Sequence, residues 1–215
     1  VSFFFMLSGF VMAWSAKSDD TAVRFWRRRF FKIYPNHLAT GLLAAVLMLW
    51  AGTQIINVIP NLLLVQSWSA DPKVSLALNG PSWSLACEAF FYLLFPLWHK
   101  LIRKIRDNNL WYWAGGLALL VLLVPLGTNL LPDEPLLAWE ATPAYDFWFV
   151  YLFPVTRTVE FVLGIVLARI VLSGRWINLP AWAAGVACLV GYAASLYVPN
   201  LWGYSAATVI PFALL

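Results

Sequence analysis

Leu110 to Leu131 reads LWYWAGGLALLVLLVPLGTNLL and holds no charged residue. That length and composition suit a helix crossing a bilayer, which takes about 20 apolar residues. Comparable stretches recur along the chain. They are Val1 to Trp14, His37 to Ile59 closed by Pro60, Ser82 to Leu101, Pro154 to Leu172, Leu179 to Val198, and a last one from Tyr204. The chain is 62% hydrophobic and 11% charged, whereas a soluble domain carries about 25% charged residues. The expected fold is therefore all-α: a polytopic transmembrane helix bundle with about seven segments. Asn61 to Trp68 is too short for another span and reads as one extra interfacial or re-entrant helix.

The charges give this bundle a direction. Lys17, Arg24, Arg27, Arg28, Arg29 and Lys32 follow the first segment; Lys100, Arg103, Lys104 and Arg106 follow the third; Arg169 and Arg175 follow the fifth. The alternate loops hold Lys73 alone, with Asp71, Asp133, Glu134, Glu140 and Asp146. The positive-inside rule puts the twelve cations in the cytoplasm and the acidic loops outside. Basic residues distributed in this way set orientation and do not form a nucleic-acid surface. Cys87 and Cys188 lie in apolar runs with no metal or redox spacing, so no metal is expected. The chain opens at VSFFFMLSGFVMAW and closes at ATVIPFALL, which reads as one membrane-embedded domain over residues 1–215, incomplete at both ends.

Three ionisable residues fall inside predicted spans: Glu88, Arg157 and Glu160. Such residues are costly in hydrocarbon and are functional candidates. Glu88 shares a helix face with Ser84 and Tyr92, at i−4 and i+4. Arg157 and Glu160 share another, which Gly164 and Ala168 continue, so a second helix can approach closely there. Glu88 and Glu160 each lie six residues beyond a segment start on the outer side, about 9 Å deep. A pairing of Glu88 with Arg157 is therefore expected. At the other face, Arg29 and Lys32 are three apart beside Tyr34-Pro35, with Arg28 adjacent. Two cations on one helix face can grip phosphate, Arg by its fork and Lys as a point charge. His37 and His99 read as ordinary interfacial residues, with a general base left open at His37.

FFFMLSGFVMAW, RRRFFKIYP, NGPSWSLACEAFFYLLFPLW and FPVTRTVEFVLG occur in that order. Together they resemble acyltransferase family 3 of integral membrane proteins, over Val1 to about Arg169. The resemblance implies an enzyme that moves an acyl group, acetyl by default, from cytoplasmic acyl-CoA to a hydroxyl of a carbohydrate or related acceptor at the outer face of a bacterial plasma membrane. Its partners would be acyl-CoA, that acceptor and the lipid bilayer. By position, Ser8 and Gly9 match the family's Phe-Phe-x-x-Ser-Gly. Arg29 matches the first basic residue of Arg-x-x-Arg, with Lys32 where a second Arg is usual. Trp83, Ser84 and Glu88 match Trp-Ser-Leu-x-x-Glu, and Arg157 and Glu160 match Arg-x-x-Glu-Phe. The resemblance thus implies Ser84, Glu88, Arg157 and Glu160 for the reaction route, and Arg28, Arg29 and Lys32 for the donor. It places an essential His ahead of Val1. The competing readings are a transporter or flippase, or a non-catalytic membrane partner of the same fold. The first is disfavoured because the sequence shows no internal repeat.

Overall fold

The structure, a computed structural model, describes residues 1–17, 20–54, 56–177 and 180–197. It is all-α. Its helices are α1 (Ser2–Trp14), α2 (Ala22–Trp50), α3 (Val58–Leu62), α4 (Pro72–Ser75), α5 (Trp83–Ile102), α6 (Leu110–Leu123), α7 (Ala144–Phe147), α8 (Pro154–Leu172) and α9 (Ala181–Ser195). A lone backbone bridge joins Leu136 to Pro143. Three helical stretches among the described residues are long and apolar enough to cross a membrane: Ala22–Trp50, Gly80–Ile102 and Asp107–Leu130. The segment expected from Tyr204 lies outside the described residues.

Two boundaries differ from the sequence reading. The cationic run expected in a loop is helical, because α2 starts at Ala22 and not at His37. Thr21 caps it, its hydroxyl accepting from the Arg24 amide at 3.3 Å, which satisfies a donor the first turn leaves open. Pro35 lies inside the helix without ending it. The end also falls earlier, at Trp50 and not Ile59. Gly52 takes φ +70°, the Gly52 amide donates to Leu49 O and the Thr53 amide to Met48 O. That is a Schellman stop, in which glycine holds the left-handed position at no steric cost. Pro60 then sits in the short helix α3 and not at the end of a span.

Asn61 to Trp68 forms no span. It contains the end of α3, a turn and a single 3₁₀ turn at Gln66–Trp68. α5 and α8 keep the bounds expected of them to within a residue or two.

The chain divides into two compact units, each described by itself. The first comprises residues 1–17, 95–130 and the described part of 155–197; the second comprises the described part of 18–94 together with 131–154. In the first unit α8 is the core. Every residue from Glu160 to Ala168 is buried, as expected for a helix that is apolar nearly all round. α1 lies directly against it. A Cβ on Gly164 would fall on the carbonyl of Met6, and one on Gly9 on the carbonyl of Phe161. The two glycines bring the two backbones into contact, the small-residue packing characteristic of membrane helices. At one end of the same unit, Arg169 donates to the carbonyls of Ile102 and Ile105 and pairs with Asp107 at 3.0 Å. Two chain segments that the charge pattern puts on one side are joined there.

Candidate functional site

In the second unit, the first half of α2 packs on the first half of α5. Phe25 is buried and meets the Tyr92 ring edge-on at 6.4 Å. Trp26 Nε1 donates to the Tyr92 carbonyl at 3.0 Å. These contacts hold Arg29, one turn on from Phe25. Its guanidinium lies 5.4 Å from the Phe25 ring centroid and 5.5 Å from that of Tyr92, within cation–π range. Among the described residues Arg29 makes no ion pair with a carboxylate.

Beside Arg29 is a cavity of about 210 Å³. Trp26, Phe30, Ile33, Leu64 and Leu93 line it together with Arg29, Tyr34 and Tyr92. Phe30 and Tyr34 stack at 4.8 Å. A mostly apolar hollow with few polar groups is the usual form of a small-molecule site. Here the lining residues include a cation that makes no ion pair among the described residues.

Glu88 belongs to the same neighbourhood. Its Oε2 accepts from the Tyr92 hydroxyl at 2.8 Å, the i+4 contact expected from sequence. Arg29 and Lys32 are both close enough for their charges to act on it. The polar stripe of α5 and the basic face of α2 therefore belong to one cluster, although the sequence reading set them at opposite membrane faces. The helical start of α2 is the reason, since it carries its cations along α5 and not into a loop. Ser84, expected in the same stripe, donates back to the Pro81 carbonyl at 3.1 Å. Arg28, expected beside Arg29, is exposed and bound to Asp20. Lys32 is exposed.

Arg157 and Glu160 are in the first unit and are 1% exposed each. Arg157 Nη1 donates to Glu160 Oε1 at 2.7 Å and to Ser2 Oγ at 3.3 Å. The pair is thus tied to α1, the helix that Gly9 and Gly164 let approach. Ser2 carried no signal in the sequence beyond being a hydroxyl in an apolar run. Glu88 and Arg157, expected to pair, fall in different units, and each has partners within its own.

One further group was read from sequence only at His37, where a general base was left open. His37, Asn61, Gln66, Ser67 and Ser82 are all at most 2% exposed. His37 is bonded to the Asn61 carbonyl, and Trp148 Nε1 donates to that of Ser67. The available signal was polar Asn61, Gln66 and Ser67 in the otherwise apolar NLLLVQSW. Among the described residues, no group of three or more His, Cys, Asp or Glu could hold a metal ion.

The model of a family described as an acyltransferase domain, Acyl_transf_3, matches residues 1–215. The acyltransferase MdmB of Streptomyces mycarofaciens is 43% identical over 222 residues, covering 100% of this chain. The chain spans 57% of that relative's length. No solved structure matches.

Proposed function

The chain belongs to the acyltransferase family Acyl_transf_3, and on that premise we propose that it forms part of a multi-pass membrane enzyme moving an acyl group from acyl-CoA to an acceptor hydroxyl. In the full reading, about seven segments span a bacterial plasma membrane, the donor is cytoplasmic acyl-CoA carrying acetyl or a similar group, and the acceptor is a carbohydrate or related molecule reached from outside. The hydroxyl oxygen attacks the thioester carbonyl carbon, the new C–O bond replaces C–S, and coenzyme A leaves as the thiol with the proton the hydroxyl gives up.

Arg29 is the observation that carries this reading. Two aromatic rings orient its guanidinium, it makes no ion pair with a carboxylate among the described residues, and it lines the cavity. An Arg fork matches phosphate oxygens bidentately. The apolar walls beside it suit the uncharged arm and acyl end of the same thioester. Lys32 adds a point charge, and Glu88 limits the local positive charge while holding Tyr92. Ser84 extends the polar face of α5 towards the acceptor. Arg157 and Glu160 brace α1 against α8.

The test is acetyl-CoA binding to purified protein in detergent. Arg29→Ala should weaken it by about 10- to 100-fold, the loss expected for a charge-assisted bond, while the melting temperature stays near wild type. Lys32→Arg should bind at least as well. Unchanged affinity in Arg29→Ala would leave the cluster as an orientation signal only.

A further inference from the structure

α2 is longer than a hydrocarbon core requires. Its 29 residues rise about 43 Å at 1.5 Å each. A hydrocarbon core is about 30 Å thick, and a whole bilayer with its headgroups about 40–45 Å. The stretch from Ile33 to Trp50 holds no Lys, Arg, Asp or Glu, and it is about 27 Å long by itself. As a span, that stretch fills the hydrocarbon and leaves Ala22 to Lys32 in the headgroup layer. Because Ala22 to Lys32 is helical, its cations and rings sort onto faces.

At about 100° per residue the faces separate. Phe25 and Arg29 turn towards α5 and meet the Tyr92 ring. Val23, Arg27 and Phe31, spaced at i, i+4 and i+8, form a strip on the side away from it. Arg24 borders this strip on one flank and Phe30 on the other. Val23 is 69% exposed, Phe30 52% and Phe31 66%, and Arg24 and Arg27 are exposed as well. The Phe30 and Phe31 rings meet edge to face at 5.5 Å. Asp20 takes Arg28. Among the described residues Arg24 and Arg27 make no ion pair.

Each half of this face rules out a surrounding that suits the other half. Water would leave two phenylalanine rings and a valine wet. Hydrocarbon would strand two guanidinium charges. A zwitterionic headgroup brings its own cation with its phosphate, so it answers the arginines poorly. An anionic phospholipid meets both demands. Its phosphate oxygens accept from the arginine forks, and its chains cover the rings. Basic residues beside phenylalanine at the hydrocarbon boundary are the pattern of interfacial helices drawn to anionic lipid.

We infer that the exposed side of Ala22 to Lys32 is a binding surface for anionic phospholipid. Arg24 and Arg27 hold the headgroup phosphate, and Val23, Phe30 and Phe31 receive the upper part of the chains. The surface is separate from the donor reading, because Arg29 turns the other way, towards α5.

The test is equilibrium binding of fluorescent dioleoylphosphatidylglycerol to the purified chain in a neutral detergent. Dioleoylphosphatidylcholine with the same fluorophore is the comparison. Phosphatidylglycerol should bind at least tenfold more tightly at low salt, and the margin should shrink as salt is raised, since exposed charges are screened. Arg24→Gln with Arg27→Gln should weaken phosphatidylglycerol about thirtyfold, about fivefold for each cation. Phosphatidylcholine binding and the melting temperature should stay near wild type. Arg24→Lys with Arg27→Lys should keep most of the affinity, because the point charges remain. Phe31→Ser should weaken both lipids alike. Equal binding of the two lipids by the wild type would overturn the inference and leave the cations as orientation signals. Unchanged phosphatidylglycerol binding in the glutamine variant would also overturn it, by giving the face to another part of the protein. So would displacement of phosphatidylglycerol by millimolar inorganic phosphate, which would make this an anion site with no lipid character.

Discussion

Arg157 and Arg29 are both arginines on apolar helices, yet their surroundings differ in kind. Arg157 is enclosed in α8 with a carboxylate three residues on and a hydroxyl from α1. Arg29 is half-buried on α2, set over two rings beside a cavity, and among the described residues it makes no ion pair with a carboxylate. A guanidinium whose charge is already answered inside the protein holds helices together. One positioned but left unanswered is ready for an anion from outside. The two sites should therefore fail differently when cut, the first in stability and the second in binding.

The largest effect should come from Arg157→Ala. It strands Glu160 at 1% exposure, and breaking a buried pair typically costs about 3–5 kcal/mol. Protein yield and melting temperature should fall sharply. The double change Arg157→Met with Glu160→Leu should recover much of both, since apolar replacements of similar volume are often neutral. A single variant as stable as wild type would remove the distinction between the two arginines.

Gly164→Ala should follow. Its new methyl meets the Met6 carbonyl, with the Met6 carbonyl carbon at 2.8 Å and the Phe10 amide at 3.0 Å. Backbone on both sides cannot step aside as a flexible side chain can, and overpacking of this kind costs about 1–3 kcal/mol. Gly116→Ala is the control, because nothing lies within 4 Å of a Cβ there. Equal melting temperatures for the two variants would mean that α1 and α8 are not in backbone contact.

The sequence made the first site readable and hid most of the second. The i, i+3 spacing of Arg157 and Glu160, with Gly164 on the same face, is a local pattern, and α8 forms where the pattern says. Arg29 was legible as a cation of interest, but its open fork was not. That depends on Arg28 taking Asp20 and on Tyr92 arriving from another helix, neither of which a local period encodes. The Thr21 cap and the Gly52 stop were in plain view, yet hydropathy drew the start of α2 fifteen residues too late, because the five cations between Ala22 and His37 outweigh a cap in any apolar window. His37, where a general base was left open, and Asn61 and Gln66 share no local period along the chain. Only the return of Ser82 and Ala77 in space turns them into one buried network.

Glu88→Gln sharpens the comparison from the side of the carboxylate. The amide oxygen still accepts from Tyr92, so stability should change by about 1 kcal/mol or less. Loss of a negative charge beside Arg29 and Lys32 should tighten acetyl-CoA binding slightly and make it more salt-sensitive. A stability loss as large as that of Arg157→Ala, together with non-additivity between the two, would instead establish the Glu88–Arg157 pair expected from their depths.

The smallest effect concerns Asp146, on α7 outside the predicted spans. It is buried and its Oδ1 has no partner. Burial, and then the charge of Asp133, raise its pKa above the ordinary 3.8. The folded chain therefore binds this proton more tightly than the unfolded one. By linkage, stability falls as pH rises from about 3.8 through the raised value, and the penalty persists at neutral pH. Asp146→Asn removes the ionisation, so it should raise the melting temperature slightly at pH 7 and flatten its slope through the weakly acidic range. A lower melting temperature at pH 7 would mean that the carboxylate has a donor in the folded protein. Asp146 would then resemble Glu160, whose charge is answered within the fold.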